Sequence, residues 1–295
     1  MSTSDSNDEW DRQLEGKTVL ITGATSGLGL ATAKELALRG ARVILACRNE
    51  ARARQVAEQL KRDTLNEDIW YCIVDLASLK SVDACAIQLL NTETRLEALI
   101  LNAGIIGAAK RELSPDGYEM TFATNHLGHF HLANRLIPLL RLAAPAARVV
   151  IVAAEAHRMI TNSNVLNDLH MEYNYRRFKA YSRSKLCNIL HARELARRVR
   201  SKGITVNALH PGLVRSTNLL QDTWLHRLLQ WFGSSPEEGA KTSLYLATDP
   251  EVAQVSGKYF RKCREVRPSP EAEDDEVAAQ LWSISEELTH KALSK

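Results

Sequence analysis

Six short apolar segments alternate with longer amphipathic segments, and this alternation limits the fold more than any other feature of the sequence. The apolar segments are nearly continuous and rich in β-branched residues, which is typical of parallel strands covered on both faces. They lie at 18–22, 42–47, 71–75, 98–102, 148–153 and 204–209. The pattern predicts a single-domain α/β fold with a doubly wound parallel sheet of about seven strands and helices on both faces.

Composition agrees with one soluble domain. We expect a disordered polar leader over 1–15 and one domain over 16–295 that ends in a helix. The net charge of +3 is too small to indicate a nucleic-acid partner. The leader lacks the character of a signal peptide, and no apolar run approaches the roughly 20 residues of a transmembrane helix. Five scattered cysteines suit a reducing compartment, so we expect a cytoplasmic protein.

A glycine-rich stretch, "TGATSGLG" at 22–29, follows the first strand and opens a helix. Glycines at such a junction let the backbone approach a pyrophosphate, which the free N–H groups of the helix start then bind. Hydroxyl groups in the loop can bind phosphate or cap the helix. The stretch therefore predicts a Rossmann-type dinucleotide site formed by Gly23, Thr25, Ser26, Gly27, Leu28 and Gly29.

The end of the second strand indicates which dinucleotide binds. An NAD-binding chain places a carboxylate there, on the ribose 2′-hydroxyl. This chain reads "LACRNE", with Arg48 at the strand end and no acidic residue before Glu50. A guanidinium suits a 2′-phosphate, so the sequence favours NADP(H) over NAD(H), the alternative being that Arg48 is an ordinary surface charge.

A tyrosine and a lysine four residues apart, Tyr181 and Lys185, lie in the strongly helical stretch "AYSRSK". This spacing places both side chains on one helix face. A neighbouring ammonium favours the phenolate and is expected to lower the pKa of the tyrosine from its ordinary value near 10. The pair is therefore a candidate acid–base unit for a carbonyl or alcohol substrate.

Five motifs occur in an order that resembles the short-chain dehydrogenase/reductase family. They are "TGATSGLG", "LNAG" at 101–104, "TNHLGHF" at 124–130, "YSRSK" at 181–185 and "HPG" at 210–212. The resemblance covers roughly residues 16–290. Within the family the chain is most similar to the retinol dehydrogenase-like branch, including the dehydrogenase domain of the oxidoreductases that carry WW domains. No WW domain is present here, so their adaptor role is not expected.

The resemblance also implies residue roles. Tyr181 would be the acid–base residue, Lys185 would lower its pKa and bind the nicotinamide ribose, and Asn125 would hold a helix bend and a water of the proton relay. The remaining cofactor contacts that the resemblance implies are Asp75, Leu76, Asn102, Gly104, Pro211 and Gly212. From the residues alone, Asn125 is ambiguous, since a buried asparagine is more often structural.

The fifth strand lacks a group that this family uses. A serine there normally hydrogen-bonds the substrate oxygen, but the matching residue is Ala154, preceded by Ala153. Removing one such donor typically lowers the rate by about 10²–10³. Three outcomes are open: a slow enzyme, a substitute donor such as His157, or a fold that keeps the nucleotide and has lost turnover.

Two further segments carry residues that are typical of binding sites. The histidines of "NHLGHFH", at 126, 129 and 131, lack the spacing of a zinc site, so no metal is expected. After the Pro–Gly turn, "NLLQDTWLHRLLQWFG" at 218–233 carries an apolar stripe that includes Trp224. It is interpreted as the wall of a lipophilic substrate pocket, with core packing, a homodimer contact and peripheral membrane contact as alternatives.

The sequence therefore predicts an NADP(H)-dependent oxidoreductase that transfers a hydride to or from a lipophilic alcohol or carbonyl, such as a retinoid or steroid, and is slowed by Ala154. The alternative is a catalytically impaired NADP-binding sensor or interaction protein. A sugar-nucleotide epimerase is disfavoured, because it usually needs a larger C-terminal substrate region.

Overall fold

The centre of the molecule is one eight-stranded sheet. The structure, a computed structural model, describes residues 13–161, 166–212 and 235–294. The strands are β1 (Thr18–Thr22), β2 (Arg42–Cys47), β3 (Ile69–Ile73), β4 (Ala98–Leu101), β5 (Ala147–Val152), β6 (Ile204–His210), β7 (Tyr259–Arg261) and β8 (Arg264–Glu265). Their order is β3-β2-β1-β4-β5-β6-β7-β8, and all neighbours are parallel except β7 and β8. The doubly wound sheet that the alternation predicts is confirmed.

Helices cover both faces of this sheet. They are α1 (Gly27–Leu38), α2 (Glu50–Thr64), α3 (Leu79–Thr92), α4 (Met120–Phe122), α5 (Gly128–Leu142), α6 (Arg177–Val199), α7 (Pro236–Thr248) and α8 (Asp275–Leu293). A π-helical segment, Ala123–Leu127, joins α4 to α5, and a 3-10 turn, Glu155–Met159, follows β5. None of the described helices combines the length and the apolar character needed to cross a membrane.

Alternate strand residues supply two separate cores. In β5, Val149 and Ile151 pack with α3, α5, α6 and α8, whereas Val150 and Val152 pack with α1, α2 and α7. β5 thus buries both of its faces, and burial of one such side chain contributes about 1.5–3 kcal/mol. The carboxyl ends of the parallel strands consequently meet at one edge of the sheet, where ligands of open α/β sheets bind.

The structure differs from the sequence predictions by one residue at the ends of β4, β5 and β6, and by more at three other places. Leu14, assigned to the leader, donates its N–H to Arg39 O at 2.9 Å and packs against the core under α1. Strand β3 begins two residues earlier than predicted, at Ile69. The strands β7 and β8 were not among the six segments, because three and two residues are too few to show a hydrophobic period.

Candidate active site

The glycine loop between β1 and α1 brings backbone close to backbone. Gly23 and Gly27 adopt positive φ angles of 67° and 53°, which residues with a Cβ rarely adopt. A Cβ on Gly29 would lie 2.4 Å from Gly23 O and 2.5 Å from the side-chain amide nitrogen of Asn102. Only glycine therefore fits at this position, and the loop closes tightly at the start of the helix.

The start of α1 is suited to an anion. Ser26 is the N-cap residue in extended conformation, but its side chain makes no capping hydrogen bond. The first N–H groups of the helix are therefore not satisfied by the usual side-chain cap. Together with the close glycine turn, this is the geometry that binds a pyrophosphate, so the loop fits the cofactor that its sequence predicts.

Asn102 joins this loop to the end of β4. Its side-chain Nδ2 donates to Thr22 O at 2.8 Å and, at 3.4 Å, to Gly23 O. Two residues further on, a Cβ on Gly104 would lie 3.3 Å from Lys185 Nζ and 3.5 Å from Asn125 Oδ1. Gly104 therefore leaves a space between the glycine loop and the lysine. The side chain of a larger residue at this position would fill that space.

The predicted adenosine contacts lie at the ends of β2 and β3. Arg48 directly follows β2 and is exposed, while Glu50 faces Arg54 at 3.4 Å on the outside of α2. Asp75 accepts Ala77 N at 3.0 Å through Oδ1, and Leu76, beside it, is buried. The first acidic residue after β2, Glu50, is thus paired with Arg54 and not with Arg48.

The tyrosine and the lysine share one face of α6, as their spacing predicts. Lys185 is only 3% exposed, and its Nζ lies 5.6 Å from the centroid of the Tyr181 ring. The same Nζ donates to Val152 O, the last carbonyl of β5, at 3.0 Å. Asn188 Nδ2 donates to that carbonyl as well, at 3.2 Å. The lysine is therefore anchored to the strand end beside the tyrosine.

The pKa values of the pair differ from the sequence prediction. Burial raises the pKa of Tyr181 to about 12, although the neighbouring lysine was expected to lower it. Burial also lowers the pKa of Lys185 to about 8, because the ammonium is removed from water. At neutral pH the tyrosine therefore carries its proton, which is the form that donates to a carbonyl oxygen.

Asn125 lies in the π-helical segment and is fully buried. Its Oδ1 accepts Ile105 N at 2.8 Å, and its Nδ2 donates to Ile105 O and to Ser184 Oγ, both at 2.9 Å. Ser184 Oγ in turn donates to Tyr181 O at 2.7 Å. The asparagine at the predicted helix irregularity thus connects the loop after β4 to the helix that carries Tyr181 and Lys185.

Ala154 lies directly after β5 and precedes the 3-10 turn, in extended conformation and 9% exposed. His157, the proposed substitute donor, does not have a free nitrogen for a substrate. Its Nδ1 lies 2.7 Å from Ala154 O and its Nε2 accepts Ser269 N at 3.1 Å. Since the carbonyl can only accept, the hydrogen is on Nδ1, and both ring nitrogens are used by the backbone. His157 as a substitute donor is therefore wrong.

The remaining predicted residues take separate positions. Pro211 and Gly212 follow β6, next to the end of β5, and Gly212 has a φ of 87°. Trp224 and the apolar stripe of 218–233 lie outside the described residues. The three histidines of "NHLGHFH" do not converge, because each ring faces a different side chain: His126 faces Ser285, His129 faces Thr22 and His131 faces Asp83.

Sequence reasoning missed three polar residues of the site. Thr22 accepts two backbone N–H groups of the loop after β4, Ser184 accepts from Asn125, and Asn188 binds the same carbonyl as Lys185. A usable signal existed for two of them. Ser184 lies three residues after Tyr181 and Asn188 three residues after Lys185, which is the spacing of residues on one helix face.

Comparisons with known proteins show the family to which the chain belongs. The family model described as short chain dehydrogenase matches residues 17–227. Human retinol dehydrogenase 14 is 47% identical, over 92% of this chain and 86% of the relative. Human WW domain-containing oxidoreductase is 40% identical, over 96% of this chain and 70% of the relative. The fold is also similar to a solved structure, described as a short chain dehydrogenase from Escherichia coli CFT073 complexed with NADPH. The two sequences are 24% identical, the match covers 85% of this chain and 98% of the other chain, and the TM-score is 0.67.

Proposed function

The chain belongs to the short-chain dehydrogenase/reductase family and is an oxidoreductase, and from this premise we propose that it transfers a hydride between NADP(H) and a lipophilic alcohol or carbonyl. The observation that carries the proposal is the anchoring of Lys185 beside Tyr181 at the carboxyl edge of the sheet, next to the cofactor cradle. The 47% identical relative is a retinol dehydrogenase, which supports a retinoid-like substrate.

In this proposal Tyr181, Lys185 and Asn125 have different roles in the reaction. Tyr181 donates its proton to the carbonyl oxygen, because burial keeps the phenol protonated at neutral pH. Lys185 places a positive charge beside the developing phenolate. Asn125 holds the loop after β4 and the helix of the tyrosine in fixed relation. The cofactor, when bound, supplies the hydride.

The preference for NADP(H) rests on Arg48. The guanidinium follows β2 on the exposed edge, and Glu50, the first acidic residue after the strand, faces Arg54 instead. A 2′-phosphate would therefore meet the cation of Arg48, while Glu50 is already paired with another arginine. The NADPH in the structural neighbour is in keeping with this preference.

The missing serine favours a slow enzyme and keeps a second function open. Ala154 offers no hydroxyl, and His157 is committed to backbone groups. This observation specifically favours the alternative, a catalytically impaired protein that binds NADP(H) and acts as a sensor or interaction module. We rank the oxidoreductase first, because the cradle, the tyrosine and the lysine are all in place.

Two variants, one at Ala154 and one at Tyr181, distinguish the enzyme from the impaired NADP-binding protein. We expect Ala154→Ser to raise turnover of retinal by roughly tenfold or more, since it restores one donor to the substrate oxygen. We expect Tyr181→Phe to abolish turnover while leaving the affinity for NADPH, measured by nicotinamide fluorescence, within about threefold. Equal background rates for the wild type and both variants would contradict the enzyme and leave the sensor.

The proposal extends to the surroundings of the protein. We propose a cytoplasmic location, which the five free cysteines support because thiols stay reduced there. A homodimer and peripheral membrane contact are further proposals that rest on the apolar segment 218–233. Gel filtration with light scattering and vesicle flotation test them separately.

A further inference from the structure

A hydrogen-bonded chain runs beneath the active site and has no part in the function described so far. Thr22 Oγ1 lies 2.8 Å from His129 Nε2, and His129 Nδ1 lies 3.1 Å from Asn125 O. At its other end, Thr22 Oγ1 accepts the N–H groups of Asn102 at 2.9 Å and of Ala103 at 3.0 Å. The chain thus begins beside the cofactor cradle and ends at the π-helical segment.

The chemistry of its members gives this chain one direction. A carbonyl oxygen only accepts, so the bond to Asn125 O places a hydrogen on Nδ1 of His129. Burial lowers the pKa of His129 to about 4, and the ring is therefore neutral with an unprotonated Nε2. Nε2 accepts from the hydroxyl of Thr22, which then accepts both backbone N–H groups. Each member is satisfied in this single arrangement.

The two ends of the chain bracket the segment 102–105. Asn102 and Ala103 are bound from the side of β1, and Ile105 is bound by both polar atoms of the Asn125 side chain. Between them lies Gly104, against which Lys185 Nζ approaches. A displacement of the carbonyl of Asn125 would therefore move its amide, this segment and the clearance beside the lysine together.

We propose that His129 is a positioning residue, which fixes Asn125 and the segment 102–105 relative to the cofactor cradle through Thr22 and so sets the geometry in which Tyr181 and Lys185 act. The inference rests on the proposed function. His129 touches neither of these two residues in the described bonds, and it acts through Asn125. It also gives a role to the ring of His129, which is only 1% exposed on α5.

The test uses variants that interrupt the chain at two points and controls that do not. His129→Leu removes the ring nitrogens, and Thr22→Val removes the hydroxyl with little change of shape. Thr22→Ser keeps the hydroxyl, and His131→Leu removes a second histidine of the same helix, one that faces Asp83 instead. Turnover with saturating NADPH and retinal is compared with amide hydrogen exchange of the peptide that spans 100–107.

We expect His129→Leu and Thr22→Val to lower kcat by roughly tenfold or more and to speed exchange of 100–107 by a similar factor, with KM within about threefold. Thr22→Ser, which keeps the hydroxyl, should recover most of what Thr22→Val loses, and His131→Leu should stay within about twofold of the wild type. In an Asn125→Ala background His129→Leu should add no further loss, because His129 holds the main-chain carbonyl of residue 125 and acts on Ile105 only through the side-chain amide that Asn125→Ala removes. This readout separates positioning from a purely structural role.

The possible results separate the inference from the function on which it rests. An inactive wild type would contradict the proposed function, and the exchange of 100–107 would still decide about His129. Wild-type exchange and turnover in His129→Leu would overturn the inference and leave the function intact. An additive loss in the Asn125→Ala background would also overturn it, since His129 would then act by another route.

Discussion

Replacing Lys185 by methionine should stabilise the fold and abolish activity. The lysine is almost fully buried, and burial lowers its pKa from 10.5 to about 8. At 1.36 kcal/mol per pKa unit, keeping this amine charged in the folded protein costs about 3 kcal/mol. Methionine has a similar length and no charge, so Lys185→Met removes this cost.

One hydrogen bond opposes the gain. Lys185 Nζ donates to Val152 O, and its loss costs about 1–2 kcal/mol. The carbonyl itself stays satisfied, because Asn188 Nδ2 also donates to it. The net expectation at pH 7 is a free energy of unfolding that is higher by about 1–2 kcal/mol, measured by urea denaturation with tryptophan fluorescence.

The change of stability with pH is a second test of the cost of burying the charged lysine. Below pH 8 the amine is charged in both folded and unfolded protein, so the full cost applies. Between pH 8 and 10.5 the folded protein releases its proton first, and the wild type gains stability as the pH rises. The difference between Lys185→Met and the wild type should therefore shrink from pH 7 to pH 10. Lys80→Met, on an exposed position of α3, should change stability by less than about 0.5 kcal/mol.

A Lys185→Met protein that is less stable than the wild type at pH 7, beside a neutral Lys80→Met, would refute the reasoning. It would mean that the contacts of the lysine outweigh the cost of its burial. The loss of activity alone would not decide, because it is expected either way. The stability gain is the informative result, since an active site that keeps a costly charge sacrifices stability for function.

Two further predictions concern the cofactor. Gly29→Ala should weaken NADPH binding by roughly tenfold or more and lower the free energy of unfolding by about 1–3 kcal/mol, because the added Cβ would clash with Gly23 O. Fluorescence titration measures the affinity and denaturation measures the stability. An unchanged affinity would contradict the assignment of this loop as the cofactor site. Arg48→Ala should weaken binding of NADPH by about tenfold and that of NADH by less than twofold, whereas equal losses would contradict the role in cofactor choice.

The sequence predicts the central strands better than the edge of the sheet. β1 and β2 have the predicted bounds, because both faces of these strands are buried and the apolar run ends where burial ends. β3 lies at the edge, and its Trp70 and Ile73 are exposed. Its hydrophobic pattern therefore does not mark where the strand begins, and the prediction slipped by two residues.

The site contacts that the sequence predicts are likewise of one kind. Contacts within a short segment, such as the glycine loop and the pairing of Tyr181 with Lys185, follow from spacing along one element. The bond between Thr22 and His129 joins residues 107 positions apart, and no local pattern indicates it. The error about His157 has the same origin, because its second partner, Ser269, lies 112 residues further on.

We expect the absence of the serine to affect one step and to leave the others intact. The cradle depends on Gly23, Gly29 and Asn102, none of which contacts Ala154 in the described bonds. The proton-bearing pair is anchored through the carbonyl of Val152, a backbone atom that does not depend on the side chain two residues later. Binding and proton supply can therefore persist where substrate alignment is weak. Because of this separation, we expect a hydroxyl at position 154 to raise kcat with little effect on cofactor affinity. A parallel gain in cofactor affinity would show that the cofactor site and the substrate site are coupled.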